Sequence, residues 1–313
     1  MPDISIVIAH RGPLLGLWTV LHSCIEDLLH SPEITYNFIV VSNGDPLDKP
    51  TESTLHLLGK DGKLLHHLHF DEALTPPAAR QRGAAVADGD YLCFFDNHCL
   101  VARDFFRRVL YDFSRRDMDI LHSTTKFTAG THTEYHYRLK LAHNFWAESS
   151  PMPTNSALPY RIAAAGHGGF VVKRSTWEEV GGYGPESLFE GYGGEELLFD
   201  LKMGRMGKSN WIDPLLIHYH FPGVRSYSKT FTEEYYINLL SCANAVGGES
   251  WMYKVYDSFV NKTHLRINHT RSWFDLLMVA QERSTAYSKV LDSTCSLSLD
   301  DLLTKFRIDC ISS

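Results

Sequence analysis

Several features of membrane, exported and nucleic-acid-binding proteins are missing from this sequence of 313 residues. No apolar run approaches the length of about 18 residues that a membrane-spanning helix needs, so no membrane span is predicted. The N-terminus enters a β-branched run without a basic segment before it, which argues against a signal peptide. The net charge of −7 argues against a broad basic surface for nucleic acid and leaves room only for a local basic groove.

Cysteine pairs, repeats and linkers are also absent from the sequence. The six cysteines include no Cys-x-x-Cys pair. In a chain without an export signal they predict reduced, mostly buried thiols and a cytoplasmic location. No Gly/Ser linker divides the chain. We therefore expect an α/β domain over residues 1–228 and a helical C-terminal extension over 229–313, packed on the same domain or beside it.

Strand and helix patterns alternate in the first half of the chain. Residues 3–9 and 36–41 are β-branched runs on either side of an amphipathic helix over 14–29. This order predicts a parallel α/β sheet that binds ligands at the carboxyl edge of its strands. Further strands are predicted at 64–70, 91–95, 120–125 and 211–221 and after the Gly-rich bend of 162–169. Further helices are predicted at 51–59, 78–87, 102–116, 134–147, 176–180, 195–206, 231–246, 250–260, 272–290 and 298–306.

A carboxylate and an imidazole follow the apolar strand at 91–95. Asp96 and His98 stand two residues apart where this strand ends, so they can face the same way and share one divalent metal. A purely structural interpretation is also open, in which Asp96 caps the next helix and His98 fills a surface turn.

Three segments, taken together and in this order, carry a family resemblance. They are the opening strand at 4–9, the Arg-x-Arg-Gly-Ala-Ala helix and Asp-x-His-Cys strand end at 79–99, and the Gly-rich and Gly-Gly-Glu-Glu segments at 165–197. They resemble the GT-A glycosyltransferases, particularly family 2 and the polypeptide N-acetylgalactosaminyltransferases. The resemblance implies a Rossmann-like, mostly parallel sheet flanked by helices. It also implies a metal-dependent enzyme that moves a sugar from a nucleotide-sugar donor, expected to be a UDP-sugar, to an acceptor hydroxyl.

The resemblance implies a third metal ligand, a histidine from a later strand. His218 and His220 both fit, because they lie two residues apart on the strand pattern of 211–221. Of the two, we favour His220. With Asp96 and His98 it would complete a mixed nitrogen and oxygen set, which suits Mn²⁺ better than Mg²⁺.

The donor-binding candidates cluster around the ends of the first strands and the Gly-rich bend. Arg82 is expected to face the diphosphate, and Arg80, two positions away, cannot share its helix face, so one of the two is expected to be a solvated surface charge. The candidates in turns and the glycines can also be explained by tight turns alone, without any contact to a donor. The full set is Ala9, His10, Arg11, Asn43, Asp45, Arg82, Gly83, Asp96, Gly168, Gly169 and Arg225.

Two carboxylates at a predicted helix start are the catalytic candidates. By the resemblance, Glu196 takes the proton of the acceptor hydroxyl in an inverting enzyme, whereas Glu195 positions substrate in a retaining one. Acidic residues are also favoured at helix starts without any catalytic role. The sequence leaves the stereochemistry open.

The acceptor can be a glycan, a protein or a hydroxymethylated DNA base. Arginine pairs at 107–108 and 115–116 and the aromatic stretch 132–146 keep DNA among the candidates. An alternative is a non-catalytic nucleotide-sugar or glycan-binding protein on a degenerate GT-A fold. A nucleotidyltransferase would be expected to add carboxylates near Asp96, where this chain has His98. No oligomeric state is predicted.

Overall fold

The fold is that of a computed structural model. It describes residues 2–12, 14–44, 47–60, 65–127, 134–135, 138–141, 147–150, 158–165, 169–221, 232–261 and 270–306. The strands among them are β1 (Ile4–His10), β2 (Tyr36–Asn43), β3 (Leu65–Phe70), β4 (Tyr91–Asp96), β5 (Cys99–Val101), β6 (Ile120–Phe127), β7 (Glu134–Tyr135), β8 (Arg138–Leu141), β9 (Ala147–Ser150), β10 (Tyr160–Ile162), β11 (Gly169–Lys173) and β12 (Asn210–His220). The helices among them are α1 (Leu14–Leu29), α2 (Lys49–Lys60), α3 (Pro76–Ala84), α4 (Phe105–Arg115), α5 (Arg174–Val180), α6 (Glu195–Arg205), α7 (Glu233–Asn261), α8 (Trp273–Thr294) and α9 (Leu299–Lys305).

The central sheet has the strand order β10-β12-β6-β11-β4-β1-β2-β3. Strands β4, β1, β2 and β3 run parallel, and β6 and β12 run parallel to each other. Strand β11 lies antiparallel between β4 and β6, so all the parallel strands point the same way. The carboxyl ends of β1, β2, β4, β6 and β12 therefore meet at one edge of the sheet.

Apolar side chains cover both faces of the sheet and build two helical layers. On β1, Ile6 faces a cluster that includes Leu17 of α1 and Phe106 of α4, whereas Val7 faces the opposite cluster. That second cluster continues through α3, α5 and α6 into α7, α8 and α9. The near-continuous burial of β1 is what a sheet covered on both faces requires. The expected central sheet flanked by helices, with a helical C-terminal region, is confirmed.

The segment at 134–147 differs from its prediction. The described residues there form β7, β8 and the start of β9, and β8 pairs antiparallel with β9, so the predicted helix is wrong. The apolar residues Tyr135, Tyr137, Leu139 and Leu141 alternate with polar ones. Alternation with period two favours a strand over a helix.

The long helices were tested as possible membrane spans. Among the residues that the structure describes, none of the helices combines the length and the apolar character needed to cross a membrane.

Candidate functional site

Strand β4 and the short strand β5 deliver two candidate ligands to the carboxyl edge. Strand β4 ends at Asp96, and a two-residue turn that contains His98 leads into β5. Strand β5 pairs antiparallel with the end of β12, where His220 lies opposite Cys99. The Phe221 N–H donates to the His98 carbonyl at 3.1 Å and closes this ladder. The β5–β12 ladder thus places His220 beside His98.

The side chains of Asp96, His98 and His220 form a compact group. The two Nε2 atoms lie 3.0 Å apart, and they lie 4.0 Å (His98) and 3.7 Å (His220) from Oδ2 of Asp96. A point equidistant from three atoms with these separations lies about 2.1 Å from each, within the range of about 2.0–2.2 Å for first-row metal bonds to nitrogen and oxygen. Both histidines are buried, so the group is a candidate metal site.

Asn97 orients the ring of His98. Its Oδ1 lies 3.1 Å from Nδ1 of His98, so this amide oxygen can accept the Nδ1 proton and leave the Nε2 lone pair for a cation. Its Nδ2 donates to Nδ1 of His10 at 2.9 Å and to the Arg11 carbonyl at 3.3 Å. The turn between β4 and β5 is therefore tied to the end of β1.

Arg80 is a site residue whose position the sequence did not settle. Its Nη2 donates to Asp96 at 2.7 Å, and its Nη1 donates to Glu196 and to the Tyr183 hydroxyl, each at 3.0 Å. The side chain is only 2% exposed. Burial acts to raise the pKa of Asp96, but the His220 hydrogen bond and the Arg80 charge outweigh it and hold that pKa well below its usual range. The His220 hydrogen bond and the Arg80 charge together thus keep Asp96 ionised.

Arg82 lies outside the network of Arg80, Asp96 and Glu196, and its expected position facing a diphosphate stays a prediction. The side chain is 42% exposed and makes an ion pair with Glu186 at 2.9 Å. Side chains two positions apart on a helix point in directions that differ by about 200°, so only one of the two arginines can face the sheet edge. The available signal was the stripe of Pro77, Arg80 and Ala84, which recurs at helical spacing and is buried in α3.

Gly83 has a packing role that the sequence did not indicate. A Cβ at this position would lie 2.4 Å from Cγ1 of Val7 and 3.1 Å from Cγ2 of Val41. The glycine therefore allows α3 to pack closely on β1 and β2, which is a helix–sheet contact.

His218 lies on the same face of β12 as His220 but deeper in the sheet, and it is not part of the compact group. Its Nδ1 is 2.8 Å from Oγ of Ser123, and its Nε2 is 3.2 Å from Oγ1 of Thr125. Two positions along a strand span about 6.7 Å, so the ring of His218 lies that much farther from the carboxyl edge of the sheet than the ring of His220. Ser123 also donates to the Gly169 carbonyl at 2.8 Å, so this polar network supports the start of β11.

The ends of β1 and β2 are joined by Asn43. Its Nδ2 donates to the His10 carbonyl at 3.3 Å, and its Oδ1 accepts the Leu74 N–H at 3.1 Å. The side chain is buried, and both ends of its amide hold backbone groups at these strand ends. Burial and nearby His67 lower the pKa of His10 to about 4, so this ring is neutral at pH 7.

The remaining donor-side candidates lie near these strand ends or outside the described residues. Ala9 pairs with Asp96 across β1 and β4, and Arg11 is exposed after β1. Gly169 begins β11 opposite Phe95 of β4. Three other candidates lie outside the described residues: Asp45, Gly168 and Arg225.

The two carboxylates at the start of α6 occupy different environments. Glu195 is 2% exposed and accepts the Gly193 N–H at 3.0 Å. Burial and the neighbouring Glu196 raise the pKa of Glu195 to about 7. Glu196 is 18% exposed and is joined to Asp96 through Arg80, and burial raises its pKa as well. Glu196 is thus the carboxylate that lies with the candidate metal group.

Comparison with known proteins gives concordant results. A relative among curated proteins is polypeptide N-acetylgalactosaminyltransferase 5 of Caenorhabditis elegans, 25% identical over 279 residues, or 82% of this chain. The crystal structure of GalNAc-T7 with UDP, GalNAc and Mn²⁺ superposes with a TM-score of 0.73 at 16% identity and covers 98% of the chain. The crystal structure of Staphylococcus aureus TarS 1-349 in complex with UDP-GlcNAc gives 0.59 at 14% identity, covering 97% of this chain and 90% of that one.

These comparisons also define how far the likeness extends. The chain spans 42% of the length of the C. elegans relative and 56% of the GalNAc-T7 chain. The profile of the family described as glycosyl transferase family 2 matches residues 5–181, more than half of the chain. The match includes β1, α3 and the strand that ends at Asp96, which carried the resemblance in the sequence. This chain belongs to glycosyl transferase family 2.

Proposed function

We propose that the chain transfers a sugar from a UDP-sugar to an acceptor hydroxyl and needs a divalent cation, with Mn²⁺ favoured. The observation that carries this proposal is the group of Asp96, His98 and His220 at the carboxyl edge of a family 2 sheet. UDP and Mn²⁺ occur together in the GalNAc-T7 structure and UDP-GlcNAc in the TarS structure, which supports the donor class.

The residues present fit a divalent cation. One carboxylate oxygen and two imidazole nitrogens make a mixed set that suits Mn²⁺ or a similar transition metal. The amide of Asn97 supplies the hydrogen bond that fixes a ligating histidine. When bound, such a cation neutralises negative charge that develops on a leaving diphosphate.

Arg80 and Glu196 are the chain's own groups beside that cation site. Arg80 stabilises the ionised form of Asp96 and holds the Glu196 carboxylate at 3.0 Å. Glu196 is more exposed than Glu195, so we assign the acceptor contact to Glu196. It serves as the general base for the acceptor hydroxyl in an inverting transfer, or orients that hydroxyl in a retaining one.

The proposal is tested with labelled UDP-glucose, UDP-GlcNAc and UDP-GalNAc, with and without Mn²⁺. Glycan, peptide and hydroxymethylated DNA acceptors are screened together, and hydrolysis without an acceptor counts as turnover. We expect turnover that depends on the cation and is abolished in Asp96→Ala. Full activity in Asp96→Ala would contradict the proposal, and tight UDP and Mn²⁺ binding without any turnover would favour a binding protein instead.

A matched pair of variants tests the ligand set independently of activity. His220→Ala is expected to abolish Mn²⁺ binding measured by electron paramagnetic resonance, whereas His218→Ala is expected to retain it. The two histidines lie on one face of the same strand, and only His220 reaches the group. Loss of binding in both variants to the same extent would contradict the assignment.

A further inference from the structure

Helix α7 of the C-terminal region lies directly behind the turn that carries the two catalytic candidates. Tyr235, Asn238 and Cys242 recur at positions i, i+3 and i+7, so they share one face of this helix. All three contact the segment 190–194, which leads into Glu195. The helical region that the family profile leaves uncovered thus forms the back wall of this turn.

Asn238 binds the backbone of Glu190 with both ends of its amide. The Glu190 N–H donates to Oδ1 at 3.1 Å, and Nδ2 donates to the Glu190 carbonyl at 2.9 Å. The asparagine is fully buried. A single side chain therefore satisfies both polar groups of one peptide residue, as a neighbouring β-strand would.

The two contacts on either side of Asn238 leave space only for glycine. A Cβ on Gly193 would lie 2.4 Å from the Tyr235 ring, and a Cβ on Gly194 would lie 2.9 Å from Sγ of Cys242. Both glycines have positive φ angles, +119° and +86°. Cys242 also donates to the Gly194 carbonyl at 3.3 Å. Contacts from α7 thus constrain the turn at both of its ends, at Glu190 and at Gly193 and Gly194.

The conformation of this turn determines where the carboxylates lie. The Gly193 N–H donates to Glu195, and the Gly194 carbonyl accepts the first hydrogen bond of α6, from the Leu198 N–H at 2.9 Å. We infer that Asn238 is a positioning residue of the transfer reaction, which acts through the 190–194 turn to hold Glu195 and Glu196 against the Arg80–Asp96 pair. This inference rests on the proposed function.

Asn244 provides a matched control on the same helix. It is also buried, at 1% exposure, and its Nδ2 donates to Oγ of Ser284 on α8 at 2.8 Å. Asn238→Ala and Asn244→Ala therefore delete the same atoms at similar burial. Only the first deletion releases the turn, so the comparison separates positioning from general packing.

Steady-state kinetics of the two variants test the inference. We expect similar losses of Tm in both. Only Asn238→Ala is expected to lower kcat, by about 10- to 100-fold, because displacing a reacting group by 1 Å can cost that much. The KM for UDP-sugar is expected to stay unchanged, since the turn leads into Glu196, to which we assign the acceptor contact. Cys242→Ala, a milder change to the same turn, is expected to lower kcat less and in the same direction.

Hydrogen–deuterium exchange gives a readout that does not depend on turnover. Amides of 190–196 are expected to exchange faster in Asn238→Ala and at the wild-type rate in Asn244→Ala. Unchanged exchange in this segment, or equal losses of kcat in the two variants, would overturn the role of Asn238. Absence of turnover in the wild-type protein would instead contradict the proposed function, so the two failures are distinguishable.

Discussion

Replacing Arg80 with methionine removes the positive charge between Asp96 and Glu196 while keeping most of the apolar stem. The guanidinium is 2% exposed, and its partners are 28% and 18% exposed. Breaking a fully buried ion pair costs about 3–5 kcal/mol of stability. Because both carboxylates are partly exposed here, we expect a loss at the lower end, about 3 kcal/mol. For a chain of 313 residues this loss corresponds to a fall in Tm of roughly 5 °C.

Arg82→Met is the control for this measurement, because it removes the same side chain two residues away on the same helix. Its ion pair with Glu186 is exposed on both sides, so the expected loss is about 0–1 kcal/mol and no more than about 2 °C. Scanning fluorimetry at pH 7 compares both variants with the wild-type protein.

Added Mn²⁺ provides a second test of the Arg80 variant. A cation at the candidate site would supply part of the positive charge that Arg80→Met lacks, so the Tm difference from wild type is expected to narrow in Mn²⁺. Equal Tm values for Arg80→Met and Arg82→Met would refute the buried network as the origin of the effect.

Three further outcomes are expected from glycine and carboxylate variants. Gly83→Ala places a Cβ 2.4 Å from a valine methyl of β1. It should lower the free energy of unfolding by about 1–3 kcal/mol in urea without changing UDP affinity. Weaker UDP binding at unchanged stability would place Gly83 at the nucleotide instead. The pKa of Glu195 is raised from 4.5 to about 7, so its contribution to the free energy of unfolding is present below about pH 4.5 and is lost as the pH rises through about 7. Glu195→Gln should therefore flatten the fall in stability over this pH range, and parallel stability profiles for variant and wild type would contradict this expectation. Gly184→Ala should lower Tm more than Gly181→Ala, although both glycines have positive φ angles, +100° and +68°. An added Cβ would lie 2.7 Å from the Tyr287 ring at Gly184 and would meet open space at Gly181. Equal shifts in Tm would exclude the ring contact as a cause.

The strand ends could be predicted because their signals are local. The apolar run before Asp96 stops at a polar turn, and the edge of a parallel sheet is where such turns collect. The choice between His218 and His220 depends instead on the depth of each residue along β12. That depth is set by the pairing with β5, about 120 residues earlier in the chain, which no local pattern encodes.

The arginine pair shows a second limit on prediction from local pattern. Arg80 and Arg82 have the same chemistry, and only the rotation of α3 about its axis decides which one is buried. That rotation follows from the close packing of Gly83 on Val7, a tertiary contact. Likewise, nothing local links Asn238 to Glu190, because they meet across 48 residues.

The β5–β12 ladder has a consequence for the order of folding. His98 and His220 are 122 residues apart in sequence, so the candidate ligand group cannot assemble until β12 has been synthesised and has docked on β5. Closing a loop of this length costs chain entropy before the contact forms, and domains rich in such non-local contacts fold more slowly. A cation that binds only the assembled sheet would stabilise the folded chain by about 2.7 kcal/mol at one hundred times its Kd. Such a cation would then stabilise only the fully assembled sheet, besides the catalytic role that we propose for it.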